Sequence, residues 1–213
     1  KARSLGAKTI ILEVDTYGGL VTSGLDISRF LKNQTDLHVI AFVNSKAISA
    51  GAMIAMACDE LIMTPSGTLG DCAPIQVSPG EGGMVNMSPT ERSKAESPIL
   101  ADFLESAQRN GHDPLLACAM VSLPYSVHWV QDETGARRFV SDLDYKKLTD
   151  YGSWKPVPNE PDPIDSDKTL LTLHSAQAAR YGVSNGNANS AEELASQRGV
   201  TIIDRFDDGI GDG

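Results

Sequence analysis

The apolar positions of this chain alternate between two periodicities. Thr9–Val14 (TIILEV) is continuously β-branched and apolar, with Gly6 before it and Gly18-Gly19 after it, which is the pattern of a buried strand. Leu20–Lys32 carries apolar residues at 20, 21, 25, 27, 30 and 31, a helical stripe. Val39–Val43 (VIAFV) predicts a second buried strand, Ala50–Cys58 a helix of small residues with Met53, Ile54 and Met56, and Leu61–Met63 a short third strand. Strand–helix alternation at these lengths predicts an α/β fold with a mostly parallel sheet.

Further along, Ser66–Glu91 is rich in Gly, Pro and Ser and is expected to be a long loop. Ile99, Leu100, Phe103, Leu104 and Ala107 form an amphipathic helix ending near Gly111, and Leu115–Val121 a second short one after Pro114. Tyr125–Val140 places YSVHWV and RRFV around QDETGA, which predicts an inserted β-hairpin. Asp142–Leu148 is expected to be a helical turn. Trp154–Asp167, proline-rich and acidic, should be an exposed extended connection. Ser175–Tyr181 is a helix closed by Gly182, and Ser190 with Glu193 has capping-box spacing for a last helix over Ala191–Gln197. Ile202–Ile203 would be a final strand. Residues 1–203 are thus expected to form one domain with 125–168 inserted, and Asp204–Gly213 an acidic frayed tail.

Composition narrows the function classes. The 213 residues carry a formal charge of −10 with 41% hydrophobic residues, an ordinary water-soluble composition able to bury a core. An acidic chain lacks the basic face that a nucleic-acid binder needs. The longest weakly polar run, Ala47–Cys58, is too short to span a bilayer. Cys58, Cys72 and Cys118 are an odd set with no C-x-x-C pair, so no disulfide framework or zinc site is expected. Lys1–Gly6 reads as the last turns of a helix rather than a natural start, so the chain is expected to be a piece of a longer protein.

Two strand ends carry the candidate chemistry. After the first strand comes Asp15-Thr16-Tyr17-Gly18-Gly19, where paired glycines allow a positive φ and close approach by another segment. After the second comes Asn44–Ala52 (NSKAISAGA), with Ser49 at a helix start among Ala50, Gly51 and Ala52. Each alone is equally well a plain turn or an N-cap serine. Parallel strands bring both to one edge of the sheet. There Ser49 is a candidate nucleophile, and the amides of Ala50 and Gly19 are candidate oxyanion donors, the set that acyl transfer requires. A base is still missing from that set.

IILEVDTYGGLVTSGLDISRFL followed by VIAFVNSKAISAGAMIAMACDELIMTPSGTLGDCAPI resembles the catalytic domain of NfeD-type membrane-bound serine proteases of the ClpP/crotonase superfamily. SPILADFLESAQRNGHDPLLACAMV and LLTLHSAQAARYGVSNGNANSAEEL are similar to the same family's later helices, so the resemblance runs from about Lys1 to Leu194. It implies a ClpP/crotonase-like fold of repeated β/α units, with a preceding strand missing here. It also implies a Ser-Lys dyad. Ser49 matches the nucleophile, and Lys94, 45 residues further on, matches the base ahead of the helical stripe. Lys46 is a rival on the wrong side of the nucleophile turn. A lysine can act as a base only where burial removes its proton. Tyr17 stands where such members carry proline, which leaves the turn without that constraint although its amide remains available.

The resemblance further implies an apolar peptide substrate laid along Gly18, Leu20 and Val21, with a stomatin-like membrane protein among the substrates. No metal or organic cofactor is required. It implies a homo-oligomer, dimer or larger, and places the catalytic part outside the cytoplasm of a membrane-associated protein. No histidine lies between His38 and His112, so the Ser-His-Asp arrangement of ClpP peptidases is not expected. Two further readings remain open: a catalytically inactive peptide- or partner-binding module, and a crotonase-like acyl-CoA enzyme.

Overall fold

The computed structural model describes residues 1–77 and 84–206. A 3₁₀ turn, Arg3–Leu5, ends at Gly6 and leads into β1 (Thr9–Thr16), α1 (Val21–Lys32), β2 (His38–Ile48), α2 (Ala50–Met56), β3 (Glu60–Met63) and β4 (Thr68–Gly70). Two short strands follow, β5 (Gln76–Val77) and β6 (Met84–Val85), then α3 (Pro89–Asn110) and α4 (Pro114–Ala119). The hairpin β7 (Val127–Gln131) and β8 (Arg137–Ser141), α5 (Asp142–Tyr151) and β9 (Lys155–Pro156) make up the insertion. The chain closes with β10 (Thr172–His174), α6 (Ser175–Arg180), β11 (Gly186–Asn187) and α7 (Ala191–Gln197).

β2 organises the main sheet. Its neighbours run in the order β10-β4-β2-β3-β11, with β1 also on β2. The first half of β2 pairs with β3 (Ile40↔Glu60, Val43↔Met63) and the second half with β4 (Lys46↔Thr68, Ile48↔Gly70), while β1 lies alongside (Ile10↔Val39, Thr16↔Ala47). All these pairs are parallel, and only β10 runs antiparallel, on β4. The continuous apolar run at Val39–Val43 follows from burial on both faces. Val39, Ala41 and Val43 enter the large core with Met53, Met56, Ile99 and Phe103, whereas Ile40 and Phe42 pack on the other face with Ile62, Ala188 and Leu194. Because β1, β2 and β4 are parallel, their carboxyl ends at Thr16, Ile48 and Gly70 converge on one edge.

Several sequence expectations need correction. The segment 66–91 contains β4, β5, β6 and the first turn of α3, and its residues 78–83 lie outside the described residues, as do 207–213 of the expected tail. α3 begins ten residues before the apolar stripe, because Ser88 and Glu91 form a capping box and its first turns face solvent. Asp142–Tyr151 is a full helix rather than a turn, capped by Ser141. Ile202–Ile203 forms no strand; Ile203 is exposed, and the segment meets no described strand edge. The connection 154–167 is not exposed throughout, since Asp165 is buried and Val157 joins the large core with Val127 and Trp129 of the hairpin. There Trp129 stacks on Phe139 at 5.5 Å and meets Tyr181 edge-on at 5.3 Å.

One buried ion cluster sets the relation of α1 to α3. Lys32 Nζ lies 2.9 Å from Asp102 Oδ1 and donates to the Asp102 carbonyl at 2.9 Å, while the Ser28 hydroxyl reaches both Asp102 oxygens. Both ionic side chains are more than nine-tenths buried. Such a pair stabilises little relative to apolar residues, but removing one partner strands a charge. Among the described residues no helix is long and apolar enough to cross a membrane.

Two outcomes are expected from this architecture. Asp102→Ala should cost about 1–3 kcal/mol in urea unfolding, because buried Lys32 keeps only the exposed Glu105 carboxylate, 3.0 Å away, and the Ser28 hydroxyl loses its acceptor. Asp165, in the insertion, has its carboxyl pushed up to about 6 by burial, with Oδ2 unpartnered. The folded state therefore holds this proton more tightly than the unfolded chain, and stability falls as pH rises from about 4 through about 6. Unfolding measured from pH 4 to 7 should show the Asp165→Asn variant gaining about 1–3 kcal/mol on the native protein across that window.

Candidate active site

The edge where three parallel strands end is built around Ser49. Its backbone sits at φ 57°, ψ −123°, a strained conformation for a residue other than glycine. Four backbone hydrogen bonds hold it there. The Ser49 amide donates to the carbonyls of Gly70 and Asp71, both at 3.1 Å, and the Ser49 carbonyl accepts from Ala52 at 3.0 Å and Met53 at 3.2 Å to start α2. Ser49 occupies the N-cap position of α2, yet its side chain makes no capping hydrogen bond. The strained turn thus directs the hydroxyl away from the helix amides that an ordinary N-cap serine would satisfy.

Three glycines make room for this turn. A Cβ on Gly18 (φ 117°) would stand 2.5 Å from Ser49 Cβ and 3.0 Å from Ser49 Oγ. One on Gly51 would meet Thr16 Cγ2 at 2.5 Å, and one on Gly70 (φ 138°) would meet the Leu171 carbonyl at 2.2 Å. The end of β1 therefore lies directly against the serine. Thr16 shapes that end: its hydroxyl accepts from the Gly18 amide at 3.0 Å and lies 3.3 Å from the Gly18 carbonyl. Gly24 brings α1 close to α2, though less so, since a Cβ there would touch Ala50 Cβ at 3.1 Å.

The amides of Gly19 and Ala50 donate to no backbone carbonyl among the described residues. α2 has only seven residues, so a negative charge here would be met by individual N–H groups rather than by a long macrodipole. Leu20 is 74% exposed beside them, and Val21 starts α1 packed against the core. Tyr17 is 79% exposed at the same rim.

The lysines divide clearly. Lys46 lies 2.6 Å from Asp15 Oδ1, and this carboxylate raises its proton affinity, so it does not serve as a base. Lys32 belongs to the buried ion cluster. Lys94 is exposed on the second turn of α3, lining an open cleft of about 510 Å³ with Pro74, Ile75, Gln76, Met87, Glu91 and Ala95. Among the described residues no hydrogen bond joins it to Ser49. The structure thus brings Gly18 and Ser49 together and leaves Lys94 apart from them, on the flank formed by residues 74–76 and α3.

Other candidate groups are occupied elsewhere. His112 is buried with Nδ1 3.0 Å from the Gly182 carbonyl, and burial lowers its proton affinity. His128 lies between Asp142 (2.7 Å) and Asp162 (2.6 Å) in the insertion. His174 stands at the N-cap of α6, its amide donating to Gln177 at 3.1 Å. Burial pushes the Cys58 and Cys72 thiols up to about 12, far from the range of a reactive thiolate. Sequence reasoning named Thr16 and Lys46 but not their contacts, and it did not single out the Gly70-Asp71 turn. The D-T-x-G-G and G-T-x-G-D motifs contain Thr16 and the Gly70-Asp71 turn, but only the fold shows that Thr16 bonds the Gly18 amide and that the turn bonds the Ser49 amide.

Comparison with known proteins places this geometry. The family model for the NfeD1b N-terminal domain matches residues 1–140. Membrane protein NfeD1b of Bacillus subtilis (strain 168) is 30% identical over 198 residues, which is 93% of this chain and 36% of that protein. Membrane-bound protease PH1510 of Pyrococcus horikoshii is 29% identical over 114 residues, 52% of this chain and 25% of that protein. The chain therefore spans only a quarter to about a third of the length of these relatives. The 1510-N membrane-bound stomatin-specific protease has the same fold. Its serine-to-alanine variant and its lysine-to-alanine variant in complex with a substrate peptide both superpose with a TM-score of 0.61 at 22% identity. They cover 92% of this chain, and 72% and 67% of those chains.

The close approach at Ser49 makes the two adjacent glycines unequal. Gly18→Ala must relieve both a 2.5 Å contact and a positive φ, and should lower the unfolding free energy by about 1–3 kcal/mol. Gly19→Ala, whose Cβ would meet nothing within 4 Å, should change it by less than about 0.5 kcal/mol. Urea titrations of both variants check the contrast.

Proposed function

The chain belongs to the NfeD1b N-terminal domain family, and we propose that it is a serine endopeptidase acting through Ser49 and Lys94. The observation that carries this reading is the Ser49 turn: a strained backbone, a hydroxyl released from capping, and Gly18 packed against it. Relatives add support. PH1510 is named a membrane-bound protease, and the 1510-N protease was captured with a substrate peptide in a form lacking one lysine.

In this reading a peptide lies extended along Gly18, Leu20 and Val21, adding main-chain hydrogen bonds as an extra strand would. Exposed Tyr17, Leu20 and Ile75 offer apolar surface for its side chains. Lys94 takes the Ser49 proton as Oγ attacks the scissile carbonyl. The Gly19 and Ala50 amides hold the oxyanion, and the lysine then returns its proton to the leaving amine. Water releases the acyl-enzyme by the reverse proton path. Removal of an amine from water favours its neutral form, so covering of the cleft beside α3 by the bound peptide is part of the mechanism. The substrates proposed are apolar segments of membrane-associated proteins, a stomatin-like protein among them. The working form proposed is a homo-oligomer whose catalytic part faces away from the cytoplasm.

The exposure of Lys94 favours one second reading, a groove that binds such peptides without cleaving them. Labelling with a fluorophosphonate probe, together with cleavage of an apolar peptide by the full chain, separates the two. The protease reading expects labelling that Ser49→Ala abolishes, and a fall of about 10²–10⁴-fold in rate for Lys94→Ala. Peptide binding that is equal in all three proteins, with no turnover in any, establishes the binding module instead.

A further inference from the structure

The turn that would hold the oxyanion has a specific mechanical problem. It contains two adjacent glycines, the least constrained residues available, and the residue before them, Tyr17, is 79% exposed and anchored to no core. Thr16 Oγ1 restrains Gly18 through its hydrogen bonds at 3.0 and 3.3 Å, but touches nothing at Gly19.

A bulge in β2 addresses this from the neighbouring strand. Between Val14↔Val43 and Thr16↔Ala47, β1 advances past Asp15 alone while β2 advances past Asn44, Ser45 and Lys46. Bulged residues re-aim their side chains. Here Asn44 Nδ2 reaches Glu13 at 2.9 Å, and Lys46 Nζ reaches Asp15 Oδ1 at 2.6 Å. The same ammonium lies 4.6 Å from the centroid of the Tyr17 ring. One cation is thus clasped by a carboxylate and by an aromatic face, the geometry of a cation–π contact with a fixed donor.

We propose that the Asp15–Lys46–Tyr17 stack is a brace that holds the Gly18–Gly19 turn in place against Ser49, which makes Lys46 a positioning residue for the oxyanion donor. The proposal rests on the reading of Ser49 as a nucleophile, and extends it to a residue that touches neither the serine nor the peptide carbonyl. Proline at position 17 would restrain the turn by another route, since its ring fixes φ. The Tyr17 amide donates to no backbone carbonyl among the described residues, and Tyr17 has no positive φ, so a proline there breaks no ladder bond.

The test uses four proteins: the native chain, Lys46→Ala, Lys46→Arg, and Lys46→Ala combined with Tyr17→Pro. Two quantities are read in each. One is the ¹⁵N order parameter of the Gly18 and Gly19 amides; the other is the saturation kinetics of fluorophosphonate modification of Ser49. The brace predicts that Lys46→Ala lowers the order parameters from about 0.85 towards 0.6. It also predicts that the maximal modification rate falls about tenfold, with probe affinity changed less than about twofold, because a displaced donor acts on the transition state. Lys46→Arg, which keeps the charge and can stack, should behave as the native chain. Tyr17→Pro should restore both quantities in the Lys46→Ala background. Order parameters unchanged by Lys46→Ala, or a double variant as mobile as the single one, overturn the brace. A native chain that fails to react with the probe overturns the peptidase reading instead, and the order parameters still decide the brace.

Discussion

The structure depends on one packing constraint: three parallel strand ends meet around Ser49 with no volume left for side chains. Gly18, Gly51 and Gly70 each stand where a Cβ would overlap a neighbour by an impossible margin. Close approach lets the Ser49 amide reach two carbonyls of the Gly70-Asp71 turn, and those bonds hold the serine in a backbone conformation that costs about 1–3 kcal/mol. The strain has a chemical consequence. A serine in relaxed N-cap geometry would satisfy a helix amide, whereas this one makes no capping bond, and the Ala50 amide meets no backbone carbonyl among the described residues.

Charge is arranged around the same edge with equal economy. Two lysines are paired with carboxylates, Lys46 on the rim of the site and Lys32, at the far end of α1, in the buried clamp between α1 and α3. The clamp matters beyond stability. α1 continues from the glycine turn and α3 carries Lys94, so the Lys32–Asp102 pair joins the two helices that carry these segments. Lys94 itself faces an open cleft, where peptide can approach it. Lys46, by contrast, is held by the Asp15 carboxylate, which keeps the proton on it.

The insertion follows a different logic from the sheet. Its hairpin buries Trp129 against Tyr181 of the main body, so it is fastened to the core by aromatic packing. His128, between two carboxylates and stacked on Tyr145 at 3.9 Å, ties α5 and the acidic connection to β7. These contacts link segments up to 34 residues apart in the chain.

Long apolar runs with a clear period were legible in the sequence, because burial on one or both faces dictates composition there. Thr9–Val14, Val39–Val43 and the α1 stripe are such runs; the glycine pair and Ser49 were legible for another reason, their order along the chain after two strands. β4, β10 and β11 were not legible: each has two or three residues, too few for a period, and exists only because a neighbouring strand offers its edge. The first turns of α3 face water and carry no stripe, so only the capping box at Ser88 marks their start. The sequence alone thus determined which residues could act, since residue type and strand order are local properties. Tertiary structure decided what holds them: the glycine contacts, the bond from Ser49 to the Gly70-Asp71 turn, the Lys46–Tyr17 stack and the exposed position of Lys94. All of these join residues far apart in the chain, and only close packing of the folded strands sets their distances.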